Sequence, residues 1–209
     1  MAALKRLVDR LAAERGLPDA DMLALLACGD GEVLSHLFAR ARAAREAVYG
    51  RDVYIRGLIE FTNFCKNDCL YCGIRRSNAR ACRYRLSEEE ILLCAEAGYR
   101  MGFRTVVLQG GEDPWFTDER LCRIVRALKA ARPDRAVTLS VGERSRESYQ
   151  KLFDAGADRY LLRHETATKA HYEALHPPGM SFDRRMQCLA DLRAIGYQVG
   201  CGFMVGSPW

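Results

Sequence analysis

The sequence lacks the long apolar runs and the charge blocks that would indicate a membrane or a nucleic-acid partner. It contains no run of about 18 apolar residues, so no membrane span is predicted. It also contains no block of five or more like charges, and the arginine-rich excess behind the net charge of +5 is spread along the chain. Scattered arginines indicate a solvated surface rather than a phosphate-binding track. We therefore expect neither a membrane nor a nucleic acid as partner.

The sequence also lacks an apolar leader and the paired cysteines of a zinc ribbon. Its first residues alternate leucine and charge, which predicts an amphipathic helix rather than a signal peptide. Nine cysteines in such a chain favour a reducing, cytoplasmic compartment over a disulfide scaffold. Three isolated cysteines, Cys94, Cys122 and Cys188, fall in helix-like segments, where a buried free thiol is expected.

Two periodicities divide the chain near residue 50. Residues 1–50 carry apolar residues at helical spacing, such as Leu4, Leu7 and Leu11, and predict an N-terminal helical leader. Residues 51–209 alternate strand-like and helical segments and end on a strand-like segment. Helices of about 10 to 15 residues between strands predict parallel βαβ units. The fold class is therefore α/β, either a doubly wound sheet or a β/α barrel.

Polar or glycine residues follow each strand-like segment, as at Cys65, Gly110–Glu112 and Arg163–Glu165. Functional residues of a β/α barrel lie on the loops after the carboxyl ends of its strands, so this arrangement favours a TIM-type barrel. The chain stops directly after a strand-like segment, whose open apolar edge would be a liability. We therefore expect an incomplete barrel of about four βα units plus a fifth strand, truncated at its C terminus.

Three cysteines, Cys65, Cys69 and Cys72, follow the first strand-like segment in the spacing C-x3-C-x2-C. Thiolates at this spacing can hold an iron–sulfur cubane and leave one iron without a protein ligand. A zinc ribbon would need a second C-x2-C pair, which the sequence lacks. The alternatives are a zinc site completed by a distant residue and three unrelated cysteines.

The segment C65-K-N-D-C69-L-Y-C72 resembles the signature of radical S-adenosylmethionine (SAM) enzymes. The resemblance implies a [4Fe-4S] cluster held by the three cysteines, with the amino and carboxylate groups of SAM on the fourth iron. It also implies reductive cleavage of SAM to methionine and a 5′-deoxyadenosyl radical. The cofactors carry this chemistry, and the protein orients them.

Further elements resemble the SAM-binding parts of the same superfamily. Gly110-Gly111-Glu112 resembles the element that holds the methionine amino group of SAM. Its residue types suit that role, because glycines let the backbone come close to a ligand and a carboxylate binds an ammonium group. Glu165 would bind the same positive group, and Arg163 and Arg184 would bind the carboxylate. Met204 lies in G-F-M-V-G, which resembles the element against which the adenine lies. Two structural alternatives stay open: Glu112 as a helix cap, and an Arg163–Glu165 ion pair.

Four segments together resemble the HydE branch of [FeFe]-hydrogenase maturases: IEFTNFCKNDCLYCGIRR, VVLQGGEDP, VTLSVGE and DRYLLRHET. The resemblance implies assembly of the hydrogenase diiron site together with HydG-like and HydF-like maturases. It also implies an organometallic iron-cysteinate substrate and a small electron donor such as ferredoxin or flavodoxin. The substrate cavity would be lined by Gln109, Thr138, Ser140 and Arg159.

Thr138 and Ser140 alternate with Leu139 and therefore face the same way, although a buried hydrogen-bonded pair is the alternative for them. Two other functions also stay open. One is a biotin synthase-like or methylornithine synthase-like radical enzyme, and the other is an inactive fragment that binds a cluster or zinc.

Overall fold

The computed structural model describes residues 1–207, which form two compact units that divide between Tyr54 and Ile55. The first unit consists of helices α1 (Ala2–Glu14), α2 (Asp19–Leu26) and α3 (Gly31–Tyr49). Its small core is formed by Val8, Leu25 and Val33. The division into domains at residue 50 stays a prediction.

The second unit is built on a parallel sheet of five strands in chain order. The strands are β1 (Gly57–Thr62), β2 (Thr105–Gly110), β3 (Ala136–Ser140), β4 (Arg159–Leu161) and β5 (Gln198–Gly200). A doubly wound sheet reverses its strand order at a switch point, whereas sequential order is that of a β/α barrel. The predicted α/β fold with parallel, barrel-type strands is therefore confirmed.

Helices connect the strands of this unit and cover one face of the sheet. They are α4 (Glu88–Arg100), α5 (Asp118–Ala131), α6 (Arg146–Asp154), α7 (Lys169–Leu175) and α8 (Phe182–Ile195). Ser87 begins α4 with the predicted capping box to Glu90. The short helix α7, which lies between β4 and α8, was not predicted.

The two faces of the sheet differ as strand alternation requires. Leu108, Leu139 and Tyr160 are fully buried in the core beneath the helices. The opposite, inner face carries Val107, Thr138 and Arg159, side by side in register on adjacent strands. This inner face is where a barrel encloses its ligands.

One of the buried-cysteine predictions is wrong. Cys122 and Cys188 are buried as expected, but Cys94 is exposed. Ile91 and Ala95 provide the buried positions of α4, so the helix turns Cys94 away from the core.

No single helix within residues 1–207 combines the length and apolar character needed to cross a membrane. The pair α2 and α3 passes that test jointly, by length and composition, with a bend of 113° between the helices.

Candidate active site

The cysteine loop, residues 63–72, leaves β1 and packs directly on the glycine turn that follows β2. The Lys66 N–H donates to the Glu112 carbonyl at 2.9 Å. A methyl group added at Gly111 would lie 2.2 Å from the Phe64 carbonyl oxygen and 2.7 Å from the Cys65 Cβ. Only glycine allows this approach, so the two predicted elements form one structure.

The three thiols of this loop are half-buried. Burial raises the pKa of Cys65, and it raises the pKa of Cys69 to about 11, with further increases from the neighbouring cysteines. Within residues 1–207, no three His, Cys, Asp or Glu side chains converge tightly enough for a single metal ion. A cubane places each thiolate on a different iron, so it tolerates wider spacing than one zinc ion does.

The unpredicted helix α7 anchors the cysteine loop. The Leu70 N–H donates to the carbonyl of Leu175 at 3.0 Å. His176 Nδ1 lies 2.8 Å from the Tyr172 carbonyl oxygen, which can only accept, so Nδ1 carries the proton. Nε2 then accepts a hydrogen bond from the Tyr71 hydroxyl at 3.1 Å. The cysteine loop is therefore fixed from two sides, by the turn after β2 and by α7.

Glu112 lies beside the cysteine loop with its carboxylate already paired. Its Oε2 is 3.1 Å from Lys66 Nζ, and its Oε1 accepts from the Glu143 N–H at 2.9 Å. The second contact requires Gly142, where a Cβ would come within 2.1 Å of the Glu112 side chain. Glu112 does not cap α5, because Thr117 caps that helix and its side chain accepts from the Arg120 N–H. In this position the Glu112 carboxylate binds the ammonium group of Lys66.

Glu165 follows β4 in a left-handed backbone conformation, with φ of 65°. Such a conformation costs a non-glycine residue about 1–3 kcal/mol and is common at functional sites. Burial raises the pKa of Glu165, and the charges of Arg163 and Arg185 partly offset this effect. In the part of the chain that the structure describes, Glu165 forms no salt bridge within 4.0 Å, so it is not an ion-pair partner of the exposed Arg163.

Of the two consecutive arginines in α8, Arg185 rather than the predicted Arg184 faces this region. Arg184 is exposed and donates to the Arg144 carbonyl at 2.8 Å. Arg185 is 6% exposed and pairs with Glu143 at 2.6 Å. Burial lowers the pKa of Arg185, but the hydrogen bond to Glu143 outweighs it and raises the pKa above its usual value. The Arg185 charge lowers the pKa of Cys69 and that of Glu165, partly offsetting the effect of burial.

The four predicted substrate residues lie together on the inner face of the sheet. Gln109 is in register with Ser140, and Thr138 is in register with Arg159. The Gln109 amide donates to the Glu60 carboxylate at 2.9 Å. Thr138 and Arg159 line a cavity of about 300 Å³. The Thr138 hydroxyl is buried without a partner among the described residues, so it does not form the hydrogen-bonded pair considered as the alternative.

Met204 lies beside Glu165 rather than on the inner sheet face. Its N–H donates to the Glu165 carbonyl at 2.9 Å. With Phe203, Thr166 and His171, Met204 lines an open cavity of about 620 Å³. The segment after β5 is thus joined to the loop after β4.

A second ion pair, between the buried Asp113 and the more exposed Arg85, supports the cysteine loop and was not predicted. Asp113 accepts two hydrogen bonds from Arg85, at 2.6 and 2.9 Å, and one from Thr62 at 2.8 Å. The Arg85 guanidinium also stacks on the Phe64 ring at 3.8 Å. The adjacency of Asp113 to the glycine turn was the only sequence signal for its role.

Comparisons with known proteins agree with this arrangement of the cysteine loop and the glycine turn. The family model described as the radical SAM superfamily matches residues 59–208, which is most of the chain. The chain therefore belongs to the radical SAM superfamily, and this membership indicates an enzyme.

Individual relatives are more specific. The chain is 46% identical over 172 residues to the [FeFe] hydrogenase maturase subunit HydE of Thermotoga maritima, covering 82% of this chain and 49% of that protein. It is 32% identical over 192 residues to 3-methylornithine synthase of Methanosarcina acetivorans, covering 91% and 54%. The crystal structure of methylornithine synthase (PylB) matches with a TM-score of 0.87 and 30% identity, over 96% of this chain and 59% of that chain. The chain thus spans about half the length of the curated relatives it matches.

The superfamily implies a [4Fe-4S] cluster and SAM, and the donor set of this site fits both. The three half-buried thiols suit a cluster. The Glu112 carboxylate already binds an ammonium, that of Lys66. A charged, buried guanidinium at Arg185 suits a carboxylate.

Proposed function

We propose that this chain carries the cluster and SAM site of a HydE-like radical enzyme that acts in assembly of the [FeFe]-hydrogenase diiron site. The observation that carries the proposal is the packing of the cysteine loop on the glycine turn, where a Gly111 Cβ would lie 2.7 Å from that of Cys65. This contact puts the thiols beside Glu112, which suits a ligand that bridges a cluster and a carboxylate.

In this proposal Cys65, Cys69 and Cys72 ligate the cluster. When bound, the reduced cluster supplies the electron that cleaves SAM to methionine and a 5′-deoxyadenosyl radical. Glu112 and Glu165 bind the SAM ammonium.

The carboxylate of SAM binds Arg185, which is supported by the burial of this side chain and its position near Cys69. Arg163 lies close enough to act on the Glu165 charge and assists there. Arg184, exposed and bonded to a backbone carbonyl, is the weaker candidate. Met204 faces the cavity in which the adenine would lie.

The inner sheet face supplies the substrate site. Gln109, Thr138, Ser140 and Arg159 present polar groups there, and the unpartnered Thr138 hydroxyl gives a ligand a hydrogen-bonding partner. The substrate would be an organometallic iron-cysteinate complex, with HydG-like and HydF-like proteins before and after this step. The support for this finer assignment is the 46% identity to HydE.

A methylornithine synthase-like activity is the second candidate, because the PylB structure matches the fold over 96% of this chain. The two candidates differ in product. HydE-like activity would restore [FeFe]-hydrogenase maturation in an assay that contains HydG and HydF but lacks HydE. The alternative would instead form 3-methylornithine.

The cluster and SAM roles are tested with the full chain reconstituted anaerobically with iron and sulfide. After addition of dithionite and SAM, we expect 5′-deoxyadenosine from the wild type and none from Cys69→Ala. Cys82→Ala is the matched control, because Cys82 is an exposed cysteine outside the C-x3-C-x2-C set. A wild-type chain that takes up zinc and forms no 5′-deoxyadenosine would contradict the proposal.

A further inference from the structure

The net charge of the molecule is concentrated around the cysteine loop. Residues 63–86 contain six basic side chains and one acidic side chain, Asp68, a net charge of +5 that equals that of the whole chain. The remaining residues are therefore neutral in sum. The basic residues are Lys66, Arg75, Arg76, Arg80, Arg83 and Arg85. The positive field of the molecule is thus centred on one region.

The arginines of this region divide into internal and outward-facing groups. Arg83 donates to four backbone carbonyls, including those of Ile74 at 2.8 Å and Arg75 at 2.6 Å. Arg85 is held by Asp113. By contrast, Arg76 and Arg80 are exposed. Arg76, whose side chain is 70% exposed, forms a salt bridge to Asp68 at 3.6 Å, and Arg80 forms no salt bridge to any described residue.

The segment that carries these two arginines is ordered and joined to the cysteine loop. The Arg76 N–H donates to the Asn67 carbonyl at 2.9 Å, and the Arg75 N–H donates to that of Cys72 at 3.2 Å. The Asn78 amide closes the turn by donating to the Gly73 carbonyl at 2.7 Å. A preorganised surface loses little entropy when a partner binds.

We propose that Arg76 and Arg80 form the docking surface for a small acidic protein that delivers one electron to the cluster. This inference rests on the proposed function, because a cluster in the cysteine loop needs an external low-potential electron. The donor is oxidised by one electron, the bound cluster is reduced by one, and no bond is formed or broken in this step. Leu70, which is 62% exposed, adds an apolar contact next to the charged surface.

The number of outward-facing charges favours a protein over a nucleic acid. A nucleic-acid site that neutralises 6–10 phosphates needs about as many basic contacts. Here two exposed arginines and the half-buried Arg75 are available. Two or three charges are instead enough to steer an acidic protein to its site.

The test compares two double variants of the full chain. Arg76→Glu/Arg80→Glu alters the proposed surface, and Arg126→Glu/Arg193→Glu alters two exposed arginines in α5 and α8. Each substitution changes the charge by two units, so both variants lower the net charge from +5 to +1. Flavodoxin, a small acidic flavoprotein, is the probe, and its Kd is measured at low and high ionic strength.

At low salt we expect the first variant to weaken flavodoxin binding at least about tenfold and the control variant to change it less than about twofold. The difference should shrink at high salt because screening shortens the range of the charges. Equal binding by the two variants would overturn the proposal. So would a single-stranded oligonucleotide that binds the wild type more tightly than flavodoxin and displaces it.

A second readout separates this inference from the proposed function. Cluster reduction is followed by electron paramagnetic resonance with reduced flavodoxin or with dithionite. We expect the first variant to be slow with flavodoxin but normal with dithionite. Failure to assemble any cluster would reject the proposed function, whereas the flavodoxin Kd would still decide the docking surface.

Discussion

Replacement of Gly111 by alanine tests the junction between the glycine turn and the cysteine loop. The added methyl group would lie 2.2 Å from the Phe64 carbonyl oxygen and 3.0 Å from its carbonyl carbon. Both are backbone atoms, so no side-chain rotation relieves the overlap. The turn and the loop must separate, which endangers the 2.9 Å hydrogen bond from Lys66 to Glu112.

The expected loss of stability follows from these two effects. Overpacking costs about 1–3 kcal/mol, and the hydrogen bond contributes about 1 kcal/mol. Together, Gly111→Ala should lower the free energy of unfolding by about 2–4 kcal/mol, or Tm by about 5–15 °C. The variant should also take up less iron on reconstitution, because Cys65 moves with the loop.

Gly73→Ala is the matched control. Gly73 directly follows Cys72, and nothing lies within 4 Å of the position that its Cβ would occupy. Thermal unfolding followed by circular dichroism, together with iron and sulfide analysis, measures both variants. If Gly111→Ala unfolds at the temperature of Gly73→Ala and binds as much iron, the reasoning about this junction is wrong.

Two further predictions concern the ion pairs of Arg185 with Glu143 and of Arg85 with Asp113. Arg185→Ala should lower the free energy of unfolding by about 3–5 kcal/mol, because it leaves the Glu143 carboxylate, which is 17% exposed, without its ion-pair partner, and it should weaken SAM binding. Arg184→Ala should change stability by less than about 0.5 kcal/mol. Urea unfolding and SAM titration of both variants measure this, and equal effects would contradict it. Burial raises the pKa of Asp113, but the hydrogen bonds from Arg85 and others outweigh it and lower the pKa. Stability from this carboxylate is therefore present above the unfolded pKa of about 3.9 and is lost as the pH falls through the folded pKa, so Asp113→Asn should destabilise more at pH 7 than at pH 3. A pH-independent effect would refute this.

The parts of the site that were predictable from sequence are those that depend on residues close together in the chain. The cysteine spacing, the glycine turn and the serine cap of α4 each depend on residues within a few positions of one another. The strands were recognisable by composition, and their alternation predicted that Thr138 and Ser140 face the same way; Arg159, named from the family resemblance, lies in register with Thr138. The alternation with helices predicted parallel strands but left a doubly wound sheet and a barrel open, and the polar residues after each strand favoured the barrel.

The choice between Arg184 and Arg185 was not predictable in this way. Successive residues of a helix point about 100° apart, so the side chain that faces the site depends on the phase of α8. That phase is set by the start of the helix after the loop that follows α7, and α7 itself was not predicted. A difference of one position in a helix is therefore enough to exchange a buried guanidinium for an exposed one.

The charge distribution was misjudged for a related reason. A search for consecutive like charges overlooks Arg76, Arg80 and Arg83, because other residues separate them in sequence. The turns after Cys72 bring these residues into one loop, in which the Arg83 side chain turns inward to bind carbonyls and the other two remain exposed. The same backbone contacts that order the loop for the cysteines therefore leave Arg76 and Arg80 exposed, with Arg76 paired only to Asp68 at 3.6 Å. The basic patch beside the cysteine loop is then a consequence of how the loop is held together, not of a run of consecutive charges.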